Sequence, residues 1–147
     1  MKIYDVIILG AGASGLMCAT HLSKKKSVAI IEVNERVAKK LKVSGGGKCN
    51  ITNVSVALDN FDGDRDLLTH VLKKFSKDDL LNFLDRNKVS LELRKDRYYF
   101  CRRSSDEIID ALKRGSDFCE TILNSKIVEV LKNDDIFEVK TDKNAYK

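Results

Sequence analysis

The chain has 147 residues, room for one domain of ordinary size or one domain with a small appendage. With 43% hydrophobic and 33% charged residues it is neither disordered nor fibrous, and no apolar run is long enough to cross a bilayer. The net charge of +5 is scattered rather than gathered on a face with interleaved aromatics, which argues against nucleic acid as a partner; no membrane partner is expected either.

In chain order, Ile3, Val6, Ile7, Ile8 and Leu9 form a short β-branched run, the pattern of a strand buried on both faces of a parallel sheet. The run leads straight into a glycine-rich turn with no secretory signal before it, so the cytoplasm is the expected compartment. Leu16, Met17, Ala19, Thr20 and Leu22 predict a helix reaching about Lys26, with Lys24 to Lys26 placed to favour its dipole. Val28 to Ile31 is a second strand, ending at Glu32. Strand, glycine turn, helix, strand and acidic residue make one βαβ unit.

A short helix is expected around Glu35 to Leu41, then an ordered loop through Asn53. Leu67, Leu68, Val71, Leu72 and Phe75 have helical spacing within Asp64 to Phe75. Ser76 caps a following helix that carries Leu80, Leu81, Phe83 and Leu84. Leu91 to Leu93 and Tyr98 to Cys101 predict a hairpin around Lys95-Asp96-Arg97. Ser104 with Glu107 predicts a capping box for a helix from about Ser105 to Cys119. Ile122 to Leu123, Ile127 to Leu131 and Ile136 to Thr141 are strands, the last two joined at Asn133-Asp134-Asp135.

Four cysteines, Cys18, Cys49, Cys101 and Cys119, form no CxxC, so neither a disulfide framework nor a metal site is expected. Cys18 and Cys119 have the surroundings of small buried hydrophobes. Cys49 as a redox thiol is the weaker reading, for it has no partner cysteine nearby in sequence.

Six of the eight glycines lie in two clusters, where backbone must approach something closely. In Gly10-x-Gly12-x-x-Gly15, Gly10 permits the turn, Gly12 lets a pyrophosphate lie against backbone, and Gly15 lets the helix pack on the sheet. The helix beginning near Ala13 turns its unpaired N–H groups toward the phosphates. Glu32 is placed to accept hydrogen bonds from an adenosine ribose, and its charge disfavours a 2′-phosphate. These features leave FAD and NAD open; S-adenosylmethionine, as in a methyltransferase, is a third possibility that gives Ser44 to Asn50 no role.

The second cluster, Ser44-Gly45-Gly46-Gly47-Lys48-Cys49-Asn50, decides among them. With Gly10 to Ala19, Glu32, Asn34-Glu35-Arg36, Lys39-Lys40-Leu41 and Thr52-Asn53, it resembles the bacterial NAD(P)/FAD-dependent oxidoreductases of the BaiN, or aminoacetone-oxidase-like, flavoprotein type. The resemblance is dense over the first 55 or so residues and colinear beyond, where Arg97 to Phe100 and the Ser104 helix are similar to the family's inserted segment. It implies an α/β, Rossmann-like FAD-binding domain of the GR2 type over residues 1–59 and 121–147, with a mostly helical insertion over 60–120.

On matching positions the resemblance places Gly10, Gly12, Ala13, Ser14 and Gly15 on the pyrophosphate and Glu32 on the ribose. It places Lys40, Ser44, Gly46, Gly47, Lys48, Cys49 and Asn50 along the rest of the cofactor and the Val128 backbone on the adenine. It implies oxidation or reduction of a small molecule, with NAD(P)H a possible reductant and catalytic residues unassigned. The chain departs from the pattern at Val37-Ala38, where the family tends to proline-glycine, and at Cys101. It also lacks the C-terminal part that completes such a domain. Two parallel strands are too few for a stable covered sheet. The expectation is therefore a marginal chain, a catalytically inactive nucleotide-binding remnant, or a chain that associates with another supplying the missing half.

Overall fold

The computed structural model describes all 147 residues. The chain divides into two compact units, one of residues 1–41 with 112–147 and one of residues 42–111.

The first unit is built on a parallel sheet. Strand β1 (Val6–Leu9), helix α1 (Ala13–Thr20) and strand β2 (Val28–Ile31) form the expected βαβ unit, with Val6 opposite Val28 and Leu9 opposite Ile31. All four β2 residues are buried because β2 is central. Ile30 and Ile31 are fully enclosed, a burial of about 1.5–3 kcal/mol each. Leu16 and Ala19 of α1 supply buried apolar surface from the helix.

The other neighbour of β2 corrects the expectation of only two parallel strands. Residues Glu120–Ile122 pair with Ala29–Ile31 in parallel, giving a three-stranded sheet. Local pattern marks only Ile122 to Leu123 as extended, and the strand's partner, distant in sequence, is chosen by burial. The same carboxylate, Glu120, is held by Lys2 Nζ at 2.6 Å and Tyr4 Oη at 2.8 Å. An antiparallel meander completes the unit: Ile127–Asn133, Ile136–Thr141 and Ala145–Tyr146. Ile31, Val139 and Tyr146 form a core cluster with Tyr4, Ile7, Ile122 and Ile127 against it.

Helix α1 stops at Thr20, well short of Lys26. Thr20 Oγ1 donates to Met17 O at 2.7 Å, and His21 Nδ1 lies 2.9 Å from the same carbonyl. Side chains thus take a carbonyl that a further turn of helix would need. Lys24 and Lys26 instead sit beyond the helix, 3.6 Å from Asp117 and from Asp5 respectively. The helix expected at Glu35 begins only at Lys39 (α2, Lys39–Val43). Ala38 has φ +57°, a left-handed conformation that cannot join a right-handed helix.

The second unit holds an antiparallel sheet in which Tyr98–Cys101 (β5) lies between Asn50–Asn53 (β3) and Leu91–Arg94 (β4). To keep chain order, Glu120–Ile122 is β6 and the meander β7, β8 and β9. The expected hairpin is present, with Lys95 and Asp96 both at positive φ in its turn. Strand β3 was expected to be loop, since its Asn-Ile-Thr-Asn sequence carries no strand pattern; pairing with β5 imposes the extended form. Helices α3 (Arg65–Lys74) and α4 (Lys77–Arg86) follow the predicted spacing. Ser76 and Asp79 form a reciprocal capping box at α4.

Helix α5 runs Asp106–Gly115 rather than to Cys119. Its cap also differs from the expected box. Ser104 Oγ accepts from the Asp106 amide at 3.1 Å, while the Glu107 carboxylate reaches the amides of Arg103 and Ser90. Cys18 and Cys119, expected to be buried, are exposed and half-buried respectively, while Cys49 and Cys101 are buried. No helix is long and apolar enough to cross a membrane.

Candidate functional site

The first glycine turn is built by backbone constraint. Gly10 has φ +98°, which favours glycine, and its amide donates to Ile31 O at 2.8 Å, tying the turn to β2. Gly15 faces the same turn from α1: a Cβ there would lie 2.0 Å from Gly10 O. Close contact of helix and turn is thus possible only without a side chain. Gly12 is the N-cap of α1 and makes no side-chain cap, so the first-turn amides at Ala13, Ser14 and Gly15 have no side-chain partner. A Cβ at Gly12 would meet nothing within 4 Å. Gly12, Ala13 and Ser14 are exposed. This is an accessible, positively polarised backbone face.

Glu32 closes the turn at the end of β2. Its Oε2 accepts from the Ala11 amide at 2.7 Å, and its Oε1 accepts from the Asn34 amide at 2.9 Å and Asn34 Nδ2 at 2.6 Å. Burial pushes its carboxyl up, but the backbone donors of Asn34, Ala11 and Val33 and the Asn34 amide group outweigh this and hold it below the ordinary value. The group is therefore charged at neutral pH. A carboxylate offers about four acceptor positions. The Ala11 amide takes one on Oε2, and the Asn34 amide and Asn34 Nδ2 take two on Oε1.

These residues fit a dinucleotide: a backbone cradle that a Cβ at Gly12 would fill, with an ionised acceptor in the same unit. Asn34 is a site residue that sequence reasoning did not single out. Its only sequence signal is its place two residues after the acidic strand end. Lys40, on α2, is exposed, and Lys39 Nζ lies 3.3 Å from Asn34 Oδ1. Val128 sits at the irregularity where β7 pairs Ile127 with Thr141 and then Glu129 with Lys140. The extra residue of such a bulge keeps its backbone outside the regular ladder.

The second glycine cluster belongs to the other compact unit. Gly45 and Gly46 have φ +58° and +66°, and Gly47 +84°, so three successive residues are left-handed. The turn is locked on both sides: the Cys49 amide donates to Ser44 O at 2.9 Å and the Ser105 amide to Gly47 O at 2.7 Å. Ser105 Oγ also holds Lys42 O at 2.9 Å. Sequence gave Ser105 no role here beyond beginning a helix. Gly46 and Gly47 have nothing within 4 Å of a would-be Cβ, whereas one at Gly45 would lie 2.8 Å from the Asn50 amide and 2.9 Å from the Phe100 ring. Gly45 therefore serves packing, and Gly46 with Gly47 offers open backbone.

That contrast is measurable. Gly45→Ala should cost about 3 kcal/mol in urea unfolding, from backbone clash added to left-handed strain. Gly46→Ala should cost only the strain, about 1–2 kcal/mol.

Lys48 Nζ is 3.8 Å from Glu92, and Asn50 is exposed at the start of β3. Cys49 is buried with φ +49°. Burial pushes its thiol up, more than a hydrogen bond with Ser44 draws it down. Cys101 is pushed up to about 11 by burial, with Cys49 and Glu107 adding to the effect. Both stay protonated at neutral pH, which opposes a thiolate nucleophile.

Among known proteins, the family model described as HI0933-like protein Rossmann domain matches residues 4–147. The ribosomal RNA dihydrouridine synthase of Haemophilus influenzae is 29% identical over 135 residues, covering 88% of this chain and 34% of that protein. The 3-dehydro-bile acid delta(4,6)-reductase of Clostridium scindens is 34% identical over 80 residues, 52% of this chain and 20% of the reductase. In structure, an open conformation of a flavocytochrome c3 fumarate reductase aligns over 99% of this chain and 32% of its own, with TM-score 0.62 and 16% identity. The chain thus spans about a third of the length of these more fully matched proteins.

Proposed function

Because the chain belongs to the HI0933-like Rossmann-domain family, whose cofactor is FAD, we propose that it is the N-terminal, cofactor-gripping part of a flavin-dependent oxidoreductase. The observation that carries this reading is the pairing, within one compact unit, of an uncapped helix N-terminus open at Gly12 with a charged acceptor at Glu32. Gly10, Gly12, Ala13, Ser14 and Gly15 bind the pyrophosphate through backbone amides. Glu32 takes a ribose hydroxyl on Oε2, and a second when Asn34 Nδ2 gives way. Val128 meets the adenine through the backbone of its bulge. Lys40, Ser44, Gly46, Gly47, Lys48, Cys49 and Asn50 serve the remainder of the cofactor.

When bound, the isoalloxazine supplies the electron transfer; the chain's own residues bind and orient. Residues 1–59 and 121–147 form the flavin-binding domain and 60–120 the insertion. This grouping follows the ligand, while the two compact units follow packing. A nicotinamide nucleotide as reductant and a small molecule as substrate complete the reading.

A second reading concerns the substrate. The relatives matched over most of this chain act, by their names, on ribosomal RNA, so a uridine within RNA is the alternative to a free small molecule. The test begins with FAD. The purified chain mixed with FAD should retain, after gel filtration, absorbance bands near about 375 and 450 nm. Retention of S-adenosylmethionine without flavin would reverse the assignment. Flavin that binds but is never reduced, even with the missing part supplied, would mark an inactive remnant. Dihydrouridine formed in ribosomal RNA by the completed protein would select the second substrate.

A further inference from the structure

Two thiols distant in sequence meet inside the second compact unit. Where β3 pairs antiparallel with β5, Asn50 lies opposite Phe100, and Cys49 and Cys101 are the next residues on the two segments. The Cys101 amide donates to Lys48 O at 2.9 Å, so the peptide group joining Lys48 to Cys49 is itself held against Cys101. That contact sets the two Cα atoms within the roughly 4.4–6.8 Å that a disulfide spans. Asn50 is exposed, whereas Cys49 and Cys101 are 1% and 0% exposed, so both thiols turn to the covered face.

The two thiols are not equivalent. Burial raises Cys101 first, with Cys49 and the Glu107 carboxylate of α5 adding to the effect and the Ile108 amide drawing it back. Burial also raises Cys49, but the hydrogen bond with Ser44 opposes it. Cys49 is therefore the readier of the pair to lose its proton. Cys49 also ends the triple-glycine turn, where its amide donates to Ser44 O. A bond between the two sulfurs would add a covalent tie at the point where that turn meets β5.

We propose that Cys49 and Cys101 form a reversible disulfide that locks the end of the triple-glycine turn to β5. The oxidant is a low-molecular-weight disulfide. The Cys49 thiolate attacks one of its sulfurs, which forms a mixed disulfide and releases one small thiol. Cys101 gives up its proton and attacks Cys49 Sγ, which releases the second small thiol. Two electrons and two protons thus pass from the protein thiols to the small disulfide, and one S–S bond breaks as another forms. Because both sulfurs are enclosed, exchange waits on local opening of the turn and is slow, and the closed bridge is shielded in the same way. The bridge closes a long loop, residues 50–100, which gives it a large hold on the unfolded chain. The stability of the second unit then follows the thiol–disulfide balance around the protein, whichever cofactor the chain takes.

The test is to equilibrate the full chain with glutathione disulfide, alkylate the remaining thiols and map the peptides by mass. A peptide pair joined through Cys49 and Cys101 should appear, lighter by two hydrogens than its reduced parts, and dithiothreitol should restore both thiols. In urea the bridged chain should unfold at a midpoint higher by at least about 1 M. Cys101→Ala should lose that response to oxidation. Because Cys101→Ala empties a buried position, Cys18→Ser, at an exposed one, is the second variant and should bridge as the parent chain does. A bridge from Cys18 to Cys119 with Cys49 and Cys101 still alkylated overturns the proposal. So does glutathione retained on Cys49 or Cys101 as a lasting mixed disulfide, or alkylation of every cysteine after oxidation. A bridge that leaves the urea midpoint unchanged overturns the lock.

Discussion

Gly15→Ala is expected to destabilise the chain by about 3 kcal/mol and to abolish FAD binding with it, because its Cβ would sit 2.0 Å from the Gly10 carbonyl oxygen and 3.2 Å from the Ile8 side chain. The clash is with backbone, which no rotamer change relieves. Either α1 lifts from the sheet or the turn at Gly10 opens, and both dismantle the cradle. Gly12→Ala makes the opposite case. Its Cβ meets nothing, and φ −80° is ordinary for alanine, so the loss of stability is expected to stay within about 1 kcal/mol, the scale of a poorer N-cap. Its methyl group would occupy the space a phosphate needs, so FAD affinity should fall at least about a hundredfold, some 2.7 kcal/mol. Urea unfolding and flavin titration on the two variants check both halves. If Gly12→Ala binds FAD as well as the parent chain, the pyrophosphate does not lie against that turn.

Glu32→Gln is the second large effect. The carboxylate is a pure acceptor, held at short range by the Ala11 amide, the Asn34 amide and Asn34 Nδ2. A carboxamide turns one oxygen into an NH₂ group, which must face either the Ala11 or the Asn34 N–H. A donor left unpaired in this nearly buried place costs about 1–3 kcal/mol. Flavin affinity should drop with it, since the turn loses its tie at Ala11 and the ribose loses a charged acceptor.

The variant also reports on pH. The folded state holds the Glu32 carboxyl below its ordinary value of 4.5, so its contribution is fully present above that value. It is lost as pH falls through the depressed folded-state value, where the folded carboxylate finally takes up its proton. The parent chain should therefore lose more stability than Glu32→Gln between neutral and acidic pH, and the two urea midpoints should converge in acid. Parallel midpoints across that range would mean that the three donors do not stabilise the charge.

Much of this architecture was legible in the residues themselves. Gly10, Gly12 and Gly15 after a β-branched run and before a helix can be read because each glycine answers a local steric demand, and the structure displays those demands as a positive φ, an open face and a 2.0 Å approach. Ser76 could be read as a cap for the same reason: the hydrogen bonds it makes lie within three residues. The meander strands β7 and β8 follow from alternation and an Asn-Asp-Asp turn.

Other features had no local signal. Strand β3 is polar in sequence and extended because β5 lies beside it. The end of α1 depends on Thr20 and His21 turning back on Met17, a choice between two hydrogen-bond partners that spacing does not rank. Which cysteines are buried does not follow from the apolar residues flanking them in sequence.

The sequence alone therefore determined the βαβ unit, the two glycine cradles and the acidic residue, because backbone conformation and charge at those positions are set by the residue and its nearest neighbours; the kind of cofactor came from the family resemblance. Only the tertiary structure decided that β6 flanks β2, that Asn34 and Ala11 hold Glu32 charged, that Gly45 packs while Gly46 and Gly47 stay open, and that Cys49 and Cys101 adjoin. Each of these is a pairing between residues distant in sequence, or a contact whose partner is chosen by burial, and neither leaves a mark in the local order of the chain.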